Sequence, residues 1–259
     1  MISVTDAQLQ LWLATFLWPL ARILGLLMTA PFFSDSGIPT TVKILLGGVI
    51  TAAIAPTLGA LPTAGIGSWE GIAILIREVV IGAALGFLLQ VMYGAVQLAG
   101  EMIGTQMGLG FSTIYDPASQ SSTDTVSALL TTLAALVFFA IDGHLAMLGA
   151  LTQTFQTLPI GGGALHAAGM QQLAAYGGVL CLHGVTMALP MTFTMITVNL
   201  ALGMLSRAAP QLNIFSIGFP VTLGCGIVML SLGLPEWMRA FDVLWETALD
   251  AVTRSATAL

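Results

Sequence analysis

Between Gly71 and Met107 the chain carries formal charge only at Arg77, Glu78 and Glu101. As a single helix that stretch would be roughly 50 Å long, more than a hydrocarbon core of about 30 Å requires. So long an apolar rod must cross a membrane or lie inside a helical assembly. The rest of the sequence has the same character. Hydrophobic residues make up 57% of it and charged residues 7%, where soluble proteins carry about 25% charged, and the mean hydropathy is +0.96. A soluble single-core fold is excluded at this length. The expected class is all-α: a membrane-associated, multi-helix subunit with long, kinked helices.

The long run ends in an abrupt change. Gly100, Gly104 and Gly108 leave one helical face bare for two turns. Gly110, the Asp116-Pro117 pair and the polar run from Ser119 to Asp124 then forbid a continuing helix. Met107, Leu109, Phe111, Ile114 and Tyr115 put apolar side chains on this broken backbone. A glycine-jointed, apolar loop between spanning helices has to be buried in protein or line a cavity. This is the expected working part, with Gly108 and Gly110 as joints and the large side chains as a seal. The simpler alternative is static packing between subunits.

Before the loop, Leu9 to Pro31 is the first candidate span, with Thr5-Asp6 as its cap, Trp18-Pro19 inside it and Arg22 near its middle. An arginine there is costly in lipid. It is either a gate or assembly contact, or an internally paired or snorkelling side chain. After the turn from Phe32 to Pro39, the second segment runs from Val42 to Leu61, with Gly47-Gly48 and a kink expected at Pro56. Trp69 suits an interfacial position. In the third segment, Gly82 and Gly86 form a GxxxG pair.

Beyond the loop, Val126 to Phe155 is interrupted at Asp142-Gly143-His144. Aspartate and histidine in an apolar segment invite a proton-relay reading, but i and i+2 lie on different helix faces. A turn hinged at Gly143 is the bland alternative. Residues 158–168 form a loop, and Met170 to Met204 a fifth segment with His183 and Asn199 as polar exceptions and Pro190 as a kink. Arg207, Gln211 and Asn213 crowd a turn at Pro210. Such a polar hairpin tip can bond freed carbonyls or a neighbouring subunit. Ile214 to Leu234 is the sixth segment, expected to end at Pro235-Glu236-Trp237. An amphipathic tail follows, with charges at Arg239, Asp242, Glu246, Asp250 and Arg254.

Chemistry finds little support. There is no GxSxG or HExxH constellation, the three histidines are scattered, and no metal or other cofactor is expected. Cys181 and Cys225 lie in apolar runs and read as buried free thiols. The net charge of −6 forms no basic patch, which disfavours nucleic acid as a partner. Without a basic N-terminal region, the first apolar run is expected to remain in the mature protein. A stand-alone small-solute transporter would show inverted repeats with paired broken helices, and no convincing repeat is visible.

Four stretches are specific enough to carry a resemblance. MGLGFSTIYDPAS after AGEMIG, LSRAAPQLNIFSIGFP, the opening WPLARILGLLMTAPFFSDSGIP and the central FFAIDGHLAMLGALTQTFQTLPIG closely resemble the FliR family of flagellar export proteins. The related virulence-secretion subunits share the layout but match the loop and the Arg-Ala-Ala-Pro-Gln run less well. The resemblance implies a non-enzymatic subunit of the type III export gate in the basal body at the inner membrane. Its implied partners are FliP and FliQ, with FlhB, FlhA, membrane lipid and unfolded flagellar export substrates. It further implies a FliP-like part over residues 1–165 and a FliQ-like helical hairpin with the amphipathic helix over 166–259, in a helical hetero-oligomeric assembly. Residues 104–122 match the family's channel plug, comprising Met107, Gly108, Gly110, Phe111, Ile114, Tyr115, Asp116 and Pro117. Arg22, Gly100, Gly104, Arg207, Pro210, Gln211 and Asn213 are the expected assembly contacts.

Overall fold

Apolar runs without β-branched alternation fold here as helices that satisfy their own backbone. The structure is a computed structural model and describes residues 6–59, 62, 65, 67–109, 125–162, 167–209 and 214–258. Among them are seven α-helices and no strand: α1 (Asp6–Thr29), α2 (Thr40–Ile54), α3 (Trp69–Gln106), α4 (Thr125–Ala140), α5 (Gly143–Thr157), α6 (Ala167–Ala208) and α7 (Ile214–Ala258). Helix α3 is unbroken for 38 residues, as the sequence leads one to expect. Among the described residues, α1, α2 with its following turn, α3, α6 and α7 are long and apolar enough to cross a membrane, and α4 with α5 would make a sixth span.

Three local expectations need correction. Pro56 does not kink a helix reaching Leu61: α2 ends at Ile54 and Pro56 sits in a 3₁₀ turn, Ala55–Thr57, because proline has no N–H to extend the ladder. Pro235 does not end the sixth segment. Helix α7 continues for 45 residues with Pro220 and Pro235 inside it. Each proline removes one hydrogen bond, and the buried face of the tail keeps the helix going past Pro235. Finally, the turn between α4 and α5 is not hinged at Gly143. Asp142 takes the left-handed conformation (φ 56, ψ 29) and Gly143 is already helical, since aspartate is among the few residues that tolerate that region.

The chain divides into two compact units. The first comprises Met1–Val91, Asp142–Gly177 and Thr247–Leu259. Its heart is the contact of α1 with the early part of α3, where glycines let the backbones meet. A Cβ at Gly25 would lie 2.5 Å from the Val79 carbonyl, and one at Gly82 would run into the carbonyl of Arg22. At Gly86 it would strike the Thr29 hydroxyl. Trp18, Ile23, Leu26, Leu27, Ile81 and Leu85 are fully buried around this crossing.

The second unit comprises Met92–Ile141 and Gly178–Glu246. Helix α4 presents Val126, Leu130, Ala134 and Phe138, spaced by four, as its buried face. Ser127 lies directly against Gly100, and its hydroxyl donates to the Gln97 carbonyl at 3.1 Å. Phe138 meets Trp245 edge-to-face at 4.5 Å between ring centres. The amphipathic tail is as expected. Phe241, Leu244 and Trp245 of this unit, and Ala248, Ala251 and Val252 of the first, are buried, while Asp242, Glu246, Asp250 and Arg254 are exposed. Both cysteines are free, but Cys181 is exposed rather than buried, because α6 turns much of its apolar surface away from its own chain.

Candidate functional site

The described part of the central loop is its root, the C-terminal end of α3. A helix leaves its last four carbonyls without intrahelical partners. Here the next turn takes three of them. Met107 N–H donates to Ile103 O (3.0 Å), Gly108 N–H to Thr105 O (3.1 Å) and Leu109 N–H to Gly104 O (3.0 Å). Gly108 has φ 85. This is the Schellman arrangement, in which a left-handed residue just past the helix folds the chain back on its carbonyls. Glycine suits this position because most side chains are strained at that φ. Gly108 is therefore a helix terminator, a more definite role than a loop joint.

The fourth, that of Gln106, and the Met107 carbonyl just beyond it are reached by side chains from the two longest described helices. Asn199 Nδ2 on α6 donates to Gln106 O at 3.3 Å. The Thr222 hydroxyl on α7 lies 3.3 Å from Met107 O and 3.0 Å from Phe219 O. Met107 itself is 1% exposed, and its Sδ would be 2.7 Å from a Cβ at Gly226. The methionine expected in the loop is seated in the second unit.

Other expected site residues are distributed as follows. Gly100 and Gly104 are buried on α3. Gly110, Phe111, Ile114, Tyr115, Asp116 and Pro117 lie outside the described residues, as do Pro210, Gln211 and Asn213. Arg207 is exposed in the last turn of α6. Arg22 is fully buried in the first unit and makes its contacts within its own chain. It bonds Glu78 at 2.7 Å, Thr154 O at 3.0 Å and Leu158 O at 2.8 Å, and it stacks over Phe155 at 4.3 Å. Arg77 reaches the same carboxylate at 3.2 Å. Sequence reading placed Glu78 on α3 without pairing it with Arg22, and it did not single out Thr222 or Gly226. Only Asn199, as an amide in an apolar helix, gave a signal.

Bacterial export proteins, family 1, match residues 13–248 of this chain. The chain is 43% identical over 248 residues to the flagellar biosynthetic protein FliR of Pectobacterium carotovorum subsp. carotovorum, covering 96% of this chain and 95% of that one. It is also 43% identical over 235 residues to FliR of Escherichia coli (strain K12), covering 91% and 90%. FliR of Buchnera aphidicola subsp. Acyrthosiphon pisum is 33% identical over 235 residues, covering 91% of each.

The chain belongs to the FliR family. The family expected from the four motifs is therefore the right one, and the chain's business is flagellar biosynthesis and export. FliR membership also fits the five membrane-length helices, and the likeness extends over α1 to α7 rather than one motif. Among the described residues no three His, Cys, Asp or Glu side chains gather as a metal site requires.

Proposed function

We propose that this chain is a structural, non-catalytic subunit of the flagellar type III export gate. With FliP and FliQ it forms the channel through which unfolded flagellar proteins cross the bacterial inner membrane, within the flagellum basal body and beside FlhB and FlhA. The observation that carries this reading is near-complete coverage by flagellar FliR proteins at 43% identity.

The helices add physical support. Only 28% of the apolar window in α6, and 22% of that in α7, is buried inside the chain. Phe193 and Leu232 are 74% and 71% exposed. Side chains of this kind need lipid or partner subunits to cover them. Residues 1–165 correspond to the FliP-like part and 166–259 to the FliQ-like hairpin with its amphipathic helix. This is a correspondence along the chain rather than a division into packing units. Residues 104–122 act as the plug, rooted at Met107 and Gly108, while Gly104, Arg207, Pro210, Gln211 and Asn213 serve assembly; Arg22 and Gly100 are taken up by contacts within the chain.

The test is deletion of residues 110–119 in the native chromosome, followed by measurement of flagellin secretion and small-ion leak. Increased leak, with FliP and FliQ still co-purifying, is the expected result. Loss of the complex without leak would mean that the loop is structural packing and does not seal a channel.

A further inference from the structure

We propose that Asn199 and Thr222 are positioning residues for the end of α3, and that they fix the point from which the central loop departs. The functional consequence rests on residues 104–122 being the plug; the anchoring itself does not. The case comes from the hydrogen bonds at one helix terminus among the described residues. The Schellman turn satisfies Ile103, Gly104 and Thr105, and the two carbonyls it cannot reach are the two that Asn199 and Thr222 approach. A buried unsatisfied carbonyl is unfavourable, which gives the buried Thr222–Met107 bond its weight; the exposed Asn199–Gln106 bond adds a second tie, from α6.

The two donors differ in kind. The Thr222 hydroxyl has one proton and two acceptors, Met107 O on α3 and Phe219 O on its own helix. Turning away from Met107 leaves that hydroxyl still bonded, so its hold is easily released. Asn199 is exposed and reaches a single carbonyl at 3.3 Å, with water as its alternative partner. A third element gives the anchor its position. The missing side chain at Gly226 is what admits Met107, because a Cβ there would be 2.6 Å from its Cγ. Two hydrogen bonds and one shaped seat together set the position of the turn.

The experiment uses the full chain in its native assembly, with Cys181 and Cys225 replaced by alanine and a reporter thiol introduced by Leu109→Cys. The rate of N-ethylmaleimide labelling in membranes is compared among the parent, Thr222→Val, Asn199→Leu with Thr222→Val, and Thr222→Ser. Loss of two neutral hydrogen bonds should speed labelling on the order of tenfold in the double variant, and Thr222→Ser should label like the parent. Thr222→Val is nearly isosteric, so it supplies the reading if the double variant is poorly recovered. Faster labelling accompanied by ion leak supports the anchor and the plug together. Faster labelling without leak supports the anchor and removes the sealing role of the loop. Unchanged labelling in well-folded variants overturns the anchor, as does a serine variant that behaves like valine.

Discussion

Arg22 and Glu78 lie 56 positions apart in the sequence, yet their side chains meet at 2.6 Å with neither exposed to solvent. The arginine joins α1 to α3 and also bonds Thr154 O and Leu158 O at the C-terminal end of α5. A cation at a helix C-terminus interacts favourably with the helix dipole. This one group thus ties three helices of the first unit together.

Removing the anion alone should be severe. Glu78→Leu leaves the fully buried Arg22 without its counter-ion, a loss of about 3–5 kcal/mol for a broken buried pair. Adding Arg22→Met should recover part of that loss rather than deepen it, and thermal unfolding of purified protein in detergent would measure the coupling. Strictly additive losses would show that the pair acts as two independent residues.

The glycine contact offers a paired comparison. Gly82→Ala should destabilise, because its Cβ meets the backbone of Arg22, whereas Gly149 on α5 has nothing within 4 Å. Gly149→Ala should be neutral or stabilising by up to about 1 kcal/mol from helix propensity. The same unfolding assay ranks the two, and equal losses would exclude the close approach of α1 and α3.

At Gly108 the φ of 85 sets the order of replacements. Asn tolerates left-handed geometry, and Val does not, at a cost of about 1–3 kcal/mol. Flagellin secretion should stay near the parent level in Gly108→Asn and fall in Gly108→Val. Equal secretion from both would mean that the Schellman turn is dispensable.

Asp142 separates a hinge from a proton relay. Its left-handed backbone (φ 56) suits Asn and Gly as well as Asp. Asp142→Asn and Asp142→Gly should export normally across external pH, and Asp142→Val should not. A loss of export in Asp142→Asn, whose backbone fits but whose side chain cannot relay a proton, would instead point to proton transfer.

Residue pattern alone announced much of this protein. Apolar runs too long for a soluble core gave the helices, and the interruption at Asp142-Gly143 marked a real end, while Gly108, read as a joint, proved to be the stop of α3. Charges spaced by three or four gave the amphipathic tail. Pro235 misled, because a proline removes one bond from a helix and cannot by itself cancel a buried face; α7 passes through it as it does through Pro220. Cys181 misled for the opposite reason, since an apolar neighbourhood in sequence does not bury a side chain whose helix face is uncovered.

The division between the two sources follows the range of the forces. Backbone hydrogen bonding and helix-breaking chemistry are local, so element type, the Gly108 stop and family membership were all determined by the sequence itself. Partners across tens of residues depend on how rods cross. Only the tertiary structure joined Arg22 to Glu78, seated Met107 against Gly226, and brought Asn199 and Thr222 to the last two carbonyls at the end of α3.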